Sequence, residues 1–164
     1  MHRKRSRLGA FVILLVAAGS WAVEDGAING TWVSARGKSH IVIQPGAADT
    51  WTGTIVWIQE PDYPEGDPEA GRPRRDRENP DETLRKRPIL GLEILQGFVH
   101  TKDNVWGKGT VYDPESGKTY RAKLTLKNPD TLHLRGYLGV SLFGRTTVWT
   151  RYHEEKPKEA DEKP

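Results

Sequence analysis

Apolar and polar positions alternate along most of this chain with a period of two. Residues 119–127 give the clearest case: Tyr120, Ala122, Leu124 and Leu126 share one face, and Thr119, Arg121, Lys123, Thr125 and Lys127 share the other. That spacing predicts a half-buried β-strand. β-Branched and aromatic runs bounded by turn residues predict further strands over 30–35, 39–44, 51–58, 89–99, 105–112, 131–138 and 142–152. Arg36-Gly37-Lys38, Pro45-Gly46, Asp113-Pro114-Glu115-Ser116-Gly117 and Asn128-Pro129-Asp130 supply the turns.

No helical period of useful length and no internal repeat interrupts this series. Consecutive hairpins predict an all-β fold, an up-and-down antiparallel meander of about eight strands. Closure into a barrel would remove its exposed edges. Three strands leave the interior face open. The segment 51–58 is apolar on both faces, with Trp51, Ile55 and Trp57 on one and Val56 and Ile58 on the other. In the fifth strand Trp106, Lys108, Thr110 and Tyr112 share a face, and in the eighth Arg145, Trp149 and Arg151 do.

One segment breaks the pattern. Residues 60–88 hold 16 charged residues and 6 prolines in 29 positions. Residues 60–77 read as a solvated linker. Residues 79–88 predict one short helical turn, with Asn79 as N-cap, Pro80 in the first turn, acids at its start and Arg85, Lys86 and Arg87 at its end. Residues 153–164 are charged, lack an apolar anchor and predict a disordered tail.

The N-terminus changes the charge picture. A basic stretch (His2 to Arg7), an apolar stretch (Leu8 to Gly19) and Ser20-Trp21-Ala22 read as a secretory signal peptide, residues 1–22, cleaved after Ala22. The other reading is an uncleaved anchor, although the apolar stretch is shorter than the ~20 residues of a spanning helix. Cleavage leaves a barrel domain over 23–152 with no integral membrane segment, in the periplasm or secreted. The formal charge of +3 (25 Lys and Arg against 22 Asp and Glu) includes Arg3, Lys4, Arg5 and Arg7. Without those four the balance is 21 to 22, or −1, which removes the electrostatic case for nucleic acid. Cysteine is absent, which excludes disulfides and thiol chemistry.

Catalytic constellations are hard to assemble. The serines Ser34, Ser39, Ser116 and Ser141 lie in no nucleophile elbow. His40, His100, His133 and His153 are scattered, and His100 with Asp103 makes at most half a metal site. No metal and no cofactor is expected. Asp76, Asp81 and Asp113 are the acids that a carboxylate-based hydrolase would use.

A mixed set of aromatic and cationic residues remains. Trp106, Tyr112 and Trp149, with Arg85, Arg87, Lys118 and Arg145, suit a pocket for a small amphipathic or anionic ligand. Asp76 and Asn79 would stand at its mouth. Ordinary packing, with aromatics in the core and Arg stems over apolar surface, explains the same residue types.

Two resemblances bear on the fold. Gly30-Thr31-Trp32 on the first strand with Arg151 on the last resembles the lipocalin-like (calycin) barrels. That resemblance implies a structural plug, the indole sealing the closed end and the guanidinium lying across it. The second rests on Asn79-Pro80-Asp81, Leu84-Arg85, Arg87-Pro88, Gly91-Leu92, Trp106, Tyr112-Asp113-Pro114, Gly117-Lys118, Tyr120 and the string RGYLGVSLFGRTTVWTR over 135–151. Together these are similar to a bacterial exported family, domain of unknown function 2147, over 30–151. The family implies a signal peptide and a barrel-like domain, and it carries no established activity to transfer.

These readings favour an exported, non-catalytic binding module for an unknown small molecule. A second possibility is an interaction or envelope-stress factor that meets an envelope protein through its surface, with 60–87, Arg135 and Tyr137 as its contact region. A third is the carboxylate-based hydrolase.

Overall fold

A computed structural model describes residues 25–154. The expected signal peptide and all but the first two residues of the expected tail lie outside these residues. Eight strands form a closed antiparallel barrel in sequence order: β1 (Gly30–Val33), β2 (Ser39–Pro45), β3 (Trp51–Ile58), β4 (Glu93–Lys102), β5 (Val105–Asp113), β6 (Lys118–Asn128), β7 (Thr131–Tyr137) and β8 (Arg145–Arg151). β1 closes the cylinder on β8, with Trp32 opposite Arg151. The predicted eight-stranded up-and-down barrel is therefore the fold.

Alternation drives the closure. Ala122, Leu124 and Leu126 of β6 and Leu132 and Leu134 of β7 point into one core with Trp32, Ile41, Ile43, Leu95, Phe98 and Trp106. Each fully buried Leu or Ile contributes roughly 1.5–3 kcal/mol relative to an exposed one.

Alternation fails where an extra residue enters a strand. Across β2 and β3, His40 pairs with Trp57 and Ile41 with Ile55, so Val56 is a bulge. The bulge reverses the parity of everything after it. Trp57 therefore does not share the inner face of Trp51 and Ile55, as its spacing predicted. It stands outside, 41% exposed, against the His40 ring at 4.4 Å, and His40 in turn meets Tyr152 at 4.6 Å. These three rings form a stack on the outer wall.

The same happens in β5. Trp106 pairs with Leu124 and Gly109 with Ala122, leaving two residues opposite one, and Lys108 adopts φ +63°. Trp106 and Gly109 are buried, while Lys108 is exposed. Trp106 thus does not share a face with Thr110 and Tyr112.

Two strands start later than predicted. β4 begins at Glu93 rather than 89, because Gly91 (φ +86°) and a Leu92-to-Ile89 turn bond keep 89–92 in the loop. β8 begins at Arg145 rather than 142, because Ser141–Phe143 forms a 3-10 turn. The predicted helical turn exists as a 3-10 turn over Glu82–Leu84. Its N-cap is Asp81, whose Oδ1 accepts from Thr83 N at 2.9 Å, and not Asn79.

Residues 60–77 are not a solvated linker. Backbone bonds run from Tyr63 N to Arg72 O, Gly71 N to Tyr63 O and Arg74 N to Pro61 O, all 2.8–3.0 Å. Tyr63 is buried, and Arg77 and Arg74 lie over its ring at 4.4 and 5.9 Å. One aromatic ring nucleates the loop, and Arg74–Glu60, Arg75–Glu69 and Arg77–Asp67 ion pairs knit its charges together.

Candidate functional site at the open end of the barrel

The two ends of the barrel are built differently. At one end the Trp32 indole is fully buried and donates from Nε1 to Ile28 O at 2.9 Å. The Arg151 guanidinium lies 4.2 Å from its ring centroid. Arg151 donates to Asn29 O (2.7 Å), Ala27 O (2.8 Å) and Pro129 O (2.6 Å). Burial lowers the Arg151 pKa from its ordinary value, with a smaller opposing pull from Asp130. Gly30 completes the plug: it adopts φ +122°, and a Cβ there would stand 2.8 Å from Arg151 Nη1. A glycine two residues before the Trp is what lets the guanidinium approach.

The opposite end is covered in part by the 59–92 segment, fastened by a polar cluster. Asp76 is completely buried. Its Oδ2 accepts from Asn79 Nδ2 and from Arg87 Nε, each at 2.8 Å, and its Oδ1 accepts from Tyr112 Oη at 2.5 Å. Asn79 Nδ2 also donates to Tyr112 Oη at 3.1 Å. Burial, followed by the Asp76 hydrogen bond and charge, pushes the Tyr112 hydroxyl up to about 12. A buried charge needs such partners, because it has left its water behind. The loop also rests on the β5–β6 turn: at Gly117 (φ +67°) a Cβ would fall 1.9 Å from Glu78 O.

Between the loop and the barrel wall opens a cavity of about 580 Å³. Ile55, Ile58, Ile89, Ile94, Val111, Leu134 and Trp149 give it apolar sides, and Thr147 and Tyr112 add hydroxyls. Its rim carries Lys38, Arg74, Arg75 and Arg77 together with Glu60, Glu78, Asp113 and Glu115. A second cavity of about 170 Å³ lies beside the fastening cluster, lined by Asn79, Pro80, Arg87, Glu93, Gln96, Thr110, Tyr112 and others. Among the described residues no group of three His, Cys, Asp or Glu side chains converges as metal ligands would. His100 Nε2 meets the backbone carbonyl of Asp103 at 2.8 Å.

The family described as "Uncharacterized protein conserved in bacteria (DUF2147)" matches residues 30–151. The chain belongs to that family. Among solved structures, this DUF2147 barrel is similar to protein HP1028 from Helicobacter pylori, described as belonging to the lipocalin family. The two are 19% identical with a TM-score of 0.64, over 78% of this chain and 84% of the other. At that identity the likeness concerns the fold. A redesigned β-barrel matches at 14% identity and a TM-score of 0.41, over 83% of this chain and 100% of that one. No curated protein matches the chain.

The site residues anticipated from the sequence separate into three groups. Asp76, Asn79, Arg87 and Tyr112 come together in the fastening cluster, across 33 to 36 positions of chain where Tyr112 joins. Trp149 and Tyr112 line the large cavity. The others lie elsewhere. Trp106 is sealed in the core against Trp51, 6.3 Å between centroids, and lines neither cavity. Arg85 braces the loop from outside, donating to Asn79 O at 2.8 Å. Lys118 and Arg145 are exposed strand ends that line neither cavity.

Sequence reasoning missed Tyr63, Arg74, Arg75 and Arg77. The signal was present as a lone Tyr among prolines and charges, with cations nearby to cover its ring.

Proposed function

We propose that this DUF2147 barrel is a non-catalytic binding module that takes a small amphiphile into the open-end cavity. One observation carries the reading: about 580 Å³ of space with apolar sides beneath a ring of charged groups. Such a volume falls in the range of roughly 300–1,000 Å³ that small-molecule pockets occupy. The apolar part would lie against Ile55, Val111, Leu134 and Trp149. The polar head would meet the rim. That rim holds four cations and four anions (Lys38, Arg74, Arg75 and Arg77; Glu60, Glu78, Asp113 and Glu115), so it favours a zwitterionic or hydrogen-bonding head over a simple anion. Export through residues 1–22 belongs to the same proposal and would place the module where envelope amphiphiles occur.

The acids give the hydrolase reading little support. Asp76 holds Asn79, Arg87 and Tyr112 at once, an arrangement for fastening rather than for moving protons. Asp81 caps a turn, and its pKa is lowered chiefly by the Thr83 hydroxyl. Asp113 accepts from Ser116 Oγ at 2.6 Å and from Glu115 N at 3.1 Å, in a hairpin turn.

A fluorescent amphiphile titrated into the protein tests the reading, with Val111→Trp as a variant that fills the space. Saturable binding that Val111→Trp weakens at least about tenfold is expected. Equal binding by both proteins, or none by either, would overturn the proposal.

A further inference from the structure

The β7–β8 connection, at the same end as the large cavity, presents its apolar side chains to solvent. Leu138 is 68% exposed, Val140 61%, Leu142 79% and Phe143 82%. Single exposed Leu residues are ordinary, but four large apolar side chains on one short connection form a patch of the kind that marks an interaction site. The tip is held in shape. Arg135 donates from Nε to Ser141 O (2.9 Å), from Nη2 to Leu142 O (3.0 Å) and from Nη1 to Thr146 Oγ1 (2.9 Å). A guanidinium tied to two tip carbonyls fixes a backbone whose side chains face away from the barrel.

The charge beside the tip says what it meets. On β6 and at the start of β8, the strands next to the tip, stand Lys118, Arg121, Lys123 and Arg145, and the one acid between 118 and 152, Asp130, lies in the β6–β7 turn at the other end of the barrel. Arg121 pairs across the sheet with Tyr137, and Arg145 with Gly136, which sets both next to the tip. None of the ion pairs among the described residues involves Arg121, Lys123, Lys127 or Arg145. The 59–92 segment, by contrast, pairs its charges internally.

We infer that the β7–β8 tip docks the barrel on an anionic lipid surface, Leu138, Val140, Leu142 and Phe143 entering the headgroup region while Arg121 and Arg145 meet lipid phosphates. Apolar side chains this exposed can enter a bilayer interface without a matching groove. Interfacial binding of this kind combines buried apolar area with attraction to anionic lipid. Docking does not depend on a filled cavity, so it stands or falls apart from the binding reading.

Vesicle co-sedimentation tests it, with phosphatidylcholine vesicles and with vesicles that also contain phosphatidylglycerol. The full chain is compared with Leu142→Ser/Phe143→Ser and with Arg121→Gln/Arg145→Gln. All three share the same termini, so any difference belongs to the tip and its cations. Circular dichroism confirms that each is folded, as substitutions at exposed positions should leave it. The account expects binding that favours anionic vesicles and that the tip variant weakens about tenfold or more. The charge variant should lose the preference for anionic lipid. Equal sedimentation of all three proteins would overturn the inference. So would self-association or protein binding that the tip variant abolishes while vesicles capture none of the chain.

Discussion

The closed and open ends of this barrel solve opposite problems with the same residue types. Each pairs an arginine with an aromatic ring and buries polar groups. At the closed end Arg151 lies 4.2 Å from the Trp32 ring centroid and donates to three backbone carbonyls. At the open end Arg87 lies 5.8 Å from the Tyr112 ring centroid and binds a carboxylate, and the loop so fastened leaves a cavity beside it. Backbone carbonyls are part of the barrel itself, so the first arrangement closes it. Asp76 belongs to a long insertion, so the second only holds a cover in place.

The contrast can be broken most forcefully at the plug. Trp32→Ala removes a fully buried indole and strips Arg151 of its ring, and should cost about 3–5 kcal/mol, read from denaturant unfolding. Asp76→Ala at the other end strands Arg87 and Tyr112 and should cost about 3 kcal/mol. Limited proteolysis should then cut within 59–92 while the rest of the barrel stays protected. Equal protection of the loop in both proteins would contradict its role as a fastener.

A smaller effect sharpens the comparison through pH. The Tyr112 hydroxyl is raised from 10.0 to about 12, first by burial and then by the Asp76 carboxylate. Above pH 10 the unfolded chain has released a proton that the folded chain still holds. The stabilisation is therefore complete below pH 10 and is lost as pH rises toward about 12. Tyr112→Phe should flatten the stability profile in that window, at a cost near neutral pH of about 1 kcal/mol from the lost hydrogen bond. Tyrosinate absorbance of the wild-type protein should show one late-titrating ring. Val111→Trp should change stability least, by less than about 1 kcal/mol, because it grows into open space.

How much of this was legible in the sequence follows from the same contrast. The barrel and its plug were readable because period-two patterning and a Gly-x-Trp are local signals. Parity was lost after Val56 and at Lys108, where one extra residue turns a strand over without altering its composition. Trp57 and Trp106 were accordingly assigned to faces they do not occupy. The fastening residues Asp76, Asn79, Arg87 and Tyr112 were all singled out, but nothing in their spacing showed that they meet. The path of a loop is set by long-range partners, not by its own period. Tyr63 and its arginines were hidden because a charged, proline-rich segment has the composition of a solvated one, and one ring was enough to fold it.

The central claim is that the open end holds an amphiphile. Native mass spectrometry of the protein purified without detergent, before and after extraction with organic solvent, tests it most directly. The account predicts a discrete added mass that extraction removes and that is absent from Val111→Trp. A single bare mass for the wild-type protein, with no uptake when amphiphiles are returned, would contradict it.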